Sequence, residues 1–111
     1  MSINSEIFKI RGHKKDCLKI KISNRLTATE TDDLRKEITK YLKSKYDIIY
    51  LDTKDVVETD LSGINEIINS FYTLEKSSQK LILIYKKNSV VEKWVATTGL
   101  DKFIETAIIP E

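Results

Sequence analysis

Ser62 is the residue whose surroundings most favour chemistry. It lies in Asp60-Leu61-Ser62-Gly63, between an apolar run over 48–51 and a helical pattern of apolar residues that starts at Ile64. At such a junction the free backbone N–H groups and the positive end of the helix dipole favour a hydroxyl acceptor or a negative charge. Ser62 is therefore either a helix cap, worth roughly 1 kcal/mol, or a site of reversible phosphorylation, which adds about two negative charges. The spacing alone favours the cap.

An acidic stretch precedes this junction. Its carboxylates belong to Asp52, Asp55, Glu58 and Asp60. They offer a few oxygens to a divalent cation, but their spacing is not that of a known calcium loop. Solvated carboxylates in a turn around Lys54-Asp55 are the better interpretation, and we predict no metal site.

No enzyme active site is recognisable in the sequence. The residue types of a hydrolytic triad are present in Ser62, His13 and Asp60. No nucleophile-elbow sequence surrounds the serine, however. The three glycines are too far apart for a phosphate-binding loop. Cys17 is the single cysteine, which excludes an intrachain disulfide, and with the distant His13 it forms no recognisable metal set. We expect no catalytic activity and no cofactor.

Three stretches, in the right order, resemble landmarks of the STAS domain family, which is named for sulfate transporters and anti-sigma factor antagonists. They are Asn24-Arg25-Leu26-Thr27, then Leu51-Asp52-Thr53 with Asp60-Leu61-Ser62-Gly63-Ile64, and finally Thr98-Gly99-Leu100-Asp101-Lys102-Phe103. The middle stretch is similar to the family's strand and Asp-Ser-Ser/Thr-Gly-Leu/Ile motif. Leu61 stands where the family commonly has serine, and Asn24-Arg25 lacks its usual glycine.

The resemblance implies an anti-sigma factor antagonist that works by partner switching. In that family the unmodified protein binds an anti-sigma factor with serine kinase activity; phosphorylation of the motif serine ends the interaction, and a protein phosphatase restores it. The motif serine falls on Ser62, and Gly63 matches a glycine that lets a partner approach the backbone closely. The implied partner-binding residues are Asn24, Arg25, Asp60, Leu61, Ser62, Gly63 and Ile64, with Leu61 and Ile64 as an apolar contact where they are exposed.

Two alternatives remain open at this point. The nearer one is a STAS binding module that is not phosphorylated, such as a signalling-scaffold subunit or the small partner of a membrane-associated lipid transporter. The remoter one is a small phosphotransfer or nucleotide-dependent enzyme on a similar fold, for which the sequence offers no catalytic constellation.

The elements that must position these residues follow from hydrophobic periodicity. Strands are predicted over 6–11, 18–22, 47–51, 81–85 and 104–109. Helices are predicted over 30–42, from the Asp60 to Gly63 junction to about residue 76, and from Asn88 or Ser89 to Gly99. Thr27 with Glu30, or Thr29 with Asp32, could form a capping box for the first helix.

The order β-β-α-β-α-β-α-β predicts an α/β fold with a mixed sheet. A polar turn over 12–16 makes the first two strands an antiparallel hairpin, while strands separated by single helices give a parallel centre. Helices should pack mainly on one face. The STAS resemblance implies the same fold, as a single STAS-like domain over residues 1–111.

Composition agrees with one domain that binds other proteins. With 111 residues and 41% hydrophobic residues the chain can build one core. The 19 basic and 17 acidic residues leave a net charge of +2, which gives no support for nucleic acid as the main partner. No apolar run is long enough to cross a bilayer, and the N-terminus does not resemble a signal peptide. We expect a cytoplasmic monomer or weak dimer without membrane insertion.

Overall fold

The elements of the computed structural model, which describes residues 3–12 and 16–111, follow the predicted order. The strands are β1 (Ile3–Lys9), β2 (Asp16–Leu26), β3 (Ile48–Thr59), β4 (Lys80–Lys86) and β5 (Glu105–Ile109). The helices are α1 (Thr31–Lys40), α2 (Leu61–Lys76) and α3 (Val90–Thr98), followed by a short 3-10 helix over Leu100–Lys102. Part of the predicted hairpin turn, including His13, lies outside the described residues.

The five strands form one mixed sheet in the order β1-β2-β3-β4-β5. β1 pairs antiparallel with β2, and each later neighbouring pair is parallel. The predicted N-terminal hairpin and parallel centre are therefore confirmed. Because the carboxyl ends of parallel strands meet at one edge of a sheet, the ends of β2, β3 and β4 share an edge. α2 begins at that edge, directly after β3.

The core lies between one face of the sheet and the helices. Alternate residues of β2 point into it, namely Leu18, Ile20 and Ile22, as the period-two pattern predicted. All three α-helices contribute to the same cluster, through Leu34, Ile38, Ile64, Ile67, Leu74, Val91 and Val95. Burying one such side chain fully is worth about 1.5–3 kcal/mol. The prediction that the helices pack mainly on one face is confirmed.

β2 and β3 are both longer than the sequence predicted, and the predicted turn around Lys54-Asp55 is wrong. β3 continues to Thr59 because it pairs with the end of β2, where Leu26 lies opposite Thr59. Two register shifts interrupt this pairing, and Asn24 beside one of them adopts a φ of +69°. The polar residues that suggested a turn are residues of a paired strand.

The other boundaries lie within three residues of the predicted ones. β1 begins and ends earlier than 6–11, and α1 is shorter than 30–42 at both ends. Glu30 is the N-cap residue of α1, and Tyr41 is its C-cap residue. The third helix has the predicted cap and stop: Ser89 accepts a hydrogen bond from the Glu92 N–H, and Gly99 is left-handed at a φ of +70°.

Candidate partner-binding site

Ser62 is the second residue of α2, and its side chain is exposed. Within the described residues its hydroxyl makes no hydrogen bond. The side chain that caps α2 belongs to Asp60. The interpretation of Ser62 as the helix cap is therefore wrong, because Asp60 occupies the capping position and Ser62 lies inside the first turn.

Asp60 uses both of its carboxylate oxygens. Its backbone is extended, with a φ of −139° and a ψ of −178°, as a capping residue requires. Oδ1 accepts a hydrogen bond from the Gly63 N–H at 2.9 Å, and Oδ2 accepts one from the Ala28 N–H at 3.2 Å. Ala28 lies in the loop between β2 and α1, so one carboxylate ties that loop to the start of α2.

Gly63 is buried against the end of β2. A Cβ atom at this position would lie 2.0 Å from the Leu26 carbonyl oxygen and 2.7 Å from Thr59 Oγ1. The Thr59 hydroxyl itself donates to the Leu26 carbonyl oxygen at 2.6 Å. The prediction that Gly63 lets a partner approach the backbone is corrected here: the backbone that approaches is the chain's own, from β2.

Thr27 and Glu30 bond to each other, but the predicted capping box is wrong, because the N-cap residue of α1 is Glu30 and its side chain makes no capping hydrogen bond. The Thr27 N–H and hydroxyl both donate to Glu30 Oε1, at 2.9 and 2.8 Å, while the Glu30 N–H donates to the Thr27 carbonyl oxygen. Arg25 Nη2 lies 3.8 Å from Glu30 Oε2. Burial alone raises the pKa of the Glu30 carboxyl, but the Thr27 hydrogen bonds and the Arg25 charge outweigh it, so this pKa lies below its ordinary value.

The predicted partner-binding residues divide into exposed and buried ones. Leu61 is 57% exposed, and Asn24 and Arg25 are exposed on β2. Ile64 is fully buried in the core, so it adds nothing to an apolar contact surface, contrary to the prediction that paired it with Leu61. Leu61 and Ile64 are three residues apart and so are neighbours on the helix surface, but the core covers only Ile64. The sequence motif does not reveal this difference.

The exposed residues nonetheless lie close together. Leu26 is opposite Thr59 in the sheet, and Arg25 is opposite Glu58, so the end of β2 runs beside the strand that leads into α2. The end of β2 and the start of α2 therefore present one surface, which we call the α2 entry surface. It is defined by Asn24, Arg25, Asp60, Leu61 and Ser62.

The acidic residues before this surface do not form a cluster. Asp52 is buried rather than solvated: its Oδ1 accepts from the Lys54 N–H at 3.0 Å, and its Oδ2 lies 3.5 Å from Lys54 Nζ. Over residues 3–12 and 16–111, no set of three or more histidine, cysteine, aspartate and glutamate residues is placed to hold a metal ion. Cys17 is buried in the sheet.

Sequence reasoning missed the ion pair that holds α1 against α2. Glu66 is buried on α2, and Arg35 of α1 donates to it twice, from Nη2 to Oε1 at 2.6 Å and from Nε to Oε2 at 3.3 Å. Such a forked pair fixes orientation as well as distance. Glu66 lies between two core isoleucines in sequence, and no local signal distinguishes it from an exposed glutamate, because its partner is 31 residues away.

A family model described as the STAS domain matches residues 9–110. The chain is similar in structure to an anti-sigma factor antagonist from Mycobacterium paratuberculosis, with 15% identity and a TM-score of 0.71 over 95% of this chain and 85% of that one. It is also similar to the anti-sigma factor antagonist SpoIIAA in its unphosphorylated form, with 17% identity and a TM-score of 0.68 over 94% and 88%.

An uncharacterised protein from Shewanella loihica with a SpoIIAA-like fold is similar too, at 15% identity and a TM-score of 0.59 over 96% and 86% of the two chains. No curated protein matches the chain in sequence. At these identities the likeness to solved structures shows a shared fold. Among the described residues, no helix has both the length and the apolar character needed to span a membrane.

Proposed function

Because the chain belongs to the STAS domain family, we propose that it is an anti-sigma factor antagonist that works by partner switching. Unmodified, it binds an anti-sigma factor that is also a serine kinase; phosphorylation of Ser62 ends the binding, and a protein phosphatase restores it. The observation that carries the proposal is the exposed Ser62 hydroxyl in the first turn of α2, which is free because Asp60 caps the helix. On this proposal the chain is a substrate and a binding partner, and it catalyses nothing itself.

The α2 entry surface supplies the binding chemistry. Leu61 offers an apolar side chain that is 57% exposed, directly before the serine. Arg25 and Asn24 offer polar groups on the neighbouring strand. An apolar anchor with a polar rim is the arrangement found in specific protein interfaces.

Phosphorylation would act on this surface by charge and not by unfolding. A phosphate at Ser62 lies at the positive end of the α2 dipole, so the helix itself tolerates it. It adds about two negative charges to the charge of Asp60, whose carboxylate is already committed to Gly63 and Ala28. In a desolvated interface even ~3 kcal/mol of lost binding free energy weakens the affinity more than a hundredfold.

The direct test uses the purified chain and the anti-sigma factor kinase of the same organism. The complex is formed with ADP, and its dissociation is followed by size-exclusion chromatography after ATP is added. We expect the wild type to be released with one phosphate on Ser62 and Ser62→Ala to stay bound. Ser78→Gly is the control, because Ser78 is exposed near the other end of α2 and its φ of +58° suits glycine. Release of Ser62→Ala would refute the proposal.

Intact-mass spectrometry of the chain recovered from growing and stressed native cells provides a second test. A single phosphate on Ser62 whose occupancy changes with condition supports the switch. No phosphate under any condition would remove the switching part of the proposal. The chain would then be the unphosphorylated binding module, either a scaffold subunit or the small partner of a lipid transporter.

A further inference from the structure

β3 continues past the end of its pairing with β4, its neighbour on one side. It pairs with β2 as far as Thr59, whereas its last pair with β4 in the described part of the chain joins Asp52 to Ile84. One residue later the Thr53 hydroxyl donates to the Ile84 carbonyl oxygen at 2.7 Å, which closes the gap there. From Lys54 onward the two strands separate.

The chain turns away where β4 would otherwise continue along β3. β4 ends at Lys86, the Lys87 N–H donates to the Ile109 carbonyl oxygen of β5 at 2.8 Å, and Asn88 has a φ of +65°. α3 then starts at Val90. A groove of about 320 Å³ is left between the end of β3 and this turn, and we call it the β3–α3 groove.

Three of the four charged side chains that line the groove are lysines. Lys54, Lys86 and Lys87 line it. Lys54 lies 3.5 Å from the Asp52 carboxylate, but Lys86 and Lys87 are exposed and have no ion pair within the described ranges. The one acidic lining residue is Glu111, whose carboxylate accepts a hydrogen bond from the Asn88 side chain.

The groove also offers apolar contacts and an extended backbone. Val57 is 75% exposed, and Val90 lines the same groove from α3. An isolated exposed valine is ordinary, but here it lies on a strand whose pairing with its β4 neighbour has ended. An extended peptide that adds to such an edge gains main-chain hydrogen bonds, and its side chains supply the specificity.

We propose that the β3–α3 groove binds an extended acidic segment of a protein partner, laid alongside β3. Carboxylates of the segment meet Lys86 and Lys87, and its apolar side chains contact Val57 and Val90. A nucleic acid or an anionic membrane fits less well, because its negative charge is continuous and would meet the exposed carboxylates of Asp55 and Glu58 on β3. A peptide can place its carboxylates at Lys86 and Lys87 alone and set an apolar side chain against Val57. The proposal does not depend on Ser62, since a docked segment adds to affinity whether or not the switch operates.

The test begins with a displayed library of random seven-residue peptides selected on the purified chain. We expect enrichment of peptides in which Asp or Glu alternates with β-branched or aromatic residues. The enriched peptides are then synthesised and titrated into the isotope-labelled chain, and amide shifts are mapped by NMR. Shifts should concentrate in 54–58 and 86–90, and affinity should fall as salt is raised, because exposed charges are screened.

Charge variants decide the assignment. The double variant Lys86→Glu/Lys87→Glu should weaken peptide binding at least about tenfold, as expected for reversal of charges that face a ligand. Its matched control is Lys36→Glu/Lys76→Glu, which makes the same change of net charge at exposed lysines on α1 and α2 and should leave binding unchanged.

Three results would overturn the proposal. One is enrichment of peptides without an acidic bias, and another is equal binding by both double variants. The third is a set of shifts in 54–58 and 86–90 produced equally well by inorganic phosphate or ATP, which would make the groove a site for small anions.

Discussion

Replacing Asp60 with alanine removes the carboxylate that caps α2. Loss of an N-cap side chain costs typically about 1 kcal/mol, with a range of about 0.5–2. Asp60 also accepts from the Ala28 N–H at 3.2 Å, but Ala28 is exposed and water can replace that bond at little cost. We therefore expect the free energy of unfolding to fall by about 1–2 kcal/mol in Asp60→Ala.

Ser62→Ala is the matched comparison, because Ser62 lies two residues further along the same turn. Its hydroxyl is exposed and makes no hydrogen bond within the described residues, so its removal should change stability by less than about 0.5 kcal/mol. Asp60→Asn should fall between the two. An amide can offer one oxygen to Gly63 but presents an NH₂ group where Ala28 needs a second acceptor.

Urea unfolding followed by circular dichroism measures all three variants against the wild type. The slope with denaturant should stay constant, so that shifts of the midpoint report stability. If Ser62→Ala were as destabilising as Asp60→Ala, the serine would be part of the cap after all. Its hydroxyl would then not be free for a kinase.

Further predictions concern the segments that surround the cap. Gly63→Ala should cost about 1–3 kcal/mol in urea unfolding, because its Cβ would meet the Leu26 carbonyl oxygen at 2.0 Å; an unchanged midpoint would contradict this packing. Asn24→Ala should be destabilised relative to Asn24→Gly, since a φ of +69° suits glycine, and equal midpoints would count against the left-handed backbone. Glu30→Gln should be less stable than wild type at about pH 7, with a gap that narrows as the pH falls below the ordinary glutamate value of about 4.3. A carboxyl whose folded-state pKa is lowered stabilises the fold above that range and loses its contribution as it is protonated, so a gap that widened in acid would show the opposite sign.

The fold was predictable because its signals are local. Leu18, Ile20 and Ile22 alternate with polar residues, and the apolar positions of α2 recur at helical spacing. The length of β3 was not predictable in the same way. Asp55 and Glu58 are typical of a turn, and they lie in a strand because the end of β2 is available to pair with them. That pairing joins residues about thirty positions apart, which no short window of sequence contains.

The candidate site was predictable in its location but not in its internal roles. Asp and Ser are both good N-cap residues, so the motif Asp60-Leu61-Ser62-Gly63 is compatible with a helix that starts at either one. The start is decided by Gly63, which is buried against Leu26 and fixes how close α2 comes to β2. With that distance fixed, Asp60 falls at the capping position, and Ser62 is carried into the helix with its hydroxyl exposed.

This division of roles bears on how a switch at Ser62 can work without disturbing the fold. Asp60 bonds to Gly63 and Ala28, and Thr59 bonds to Leu26, so the backbone around the serine is held by residues other than the serine. A phosphate there has no structural hydrogen bond to break, and it gains from the dipole of α2. Its free-energy effect is therefore concentrated on whatever contacts Leu61 and Ser62 from outside. A residue that is chemically accessible and structurally dispensable suits reversible modification, because the modified and unmodified chains then differ in surface charge while sharing one fold.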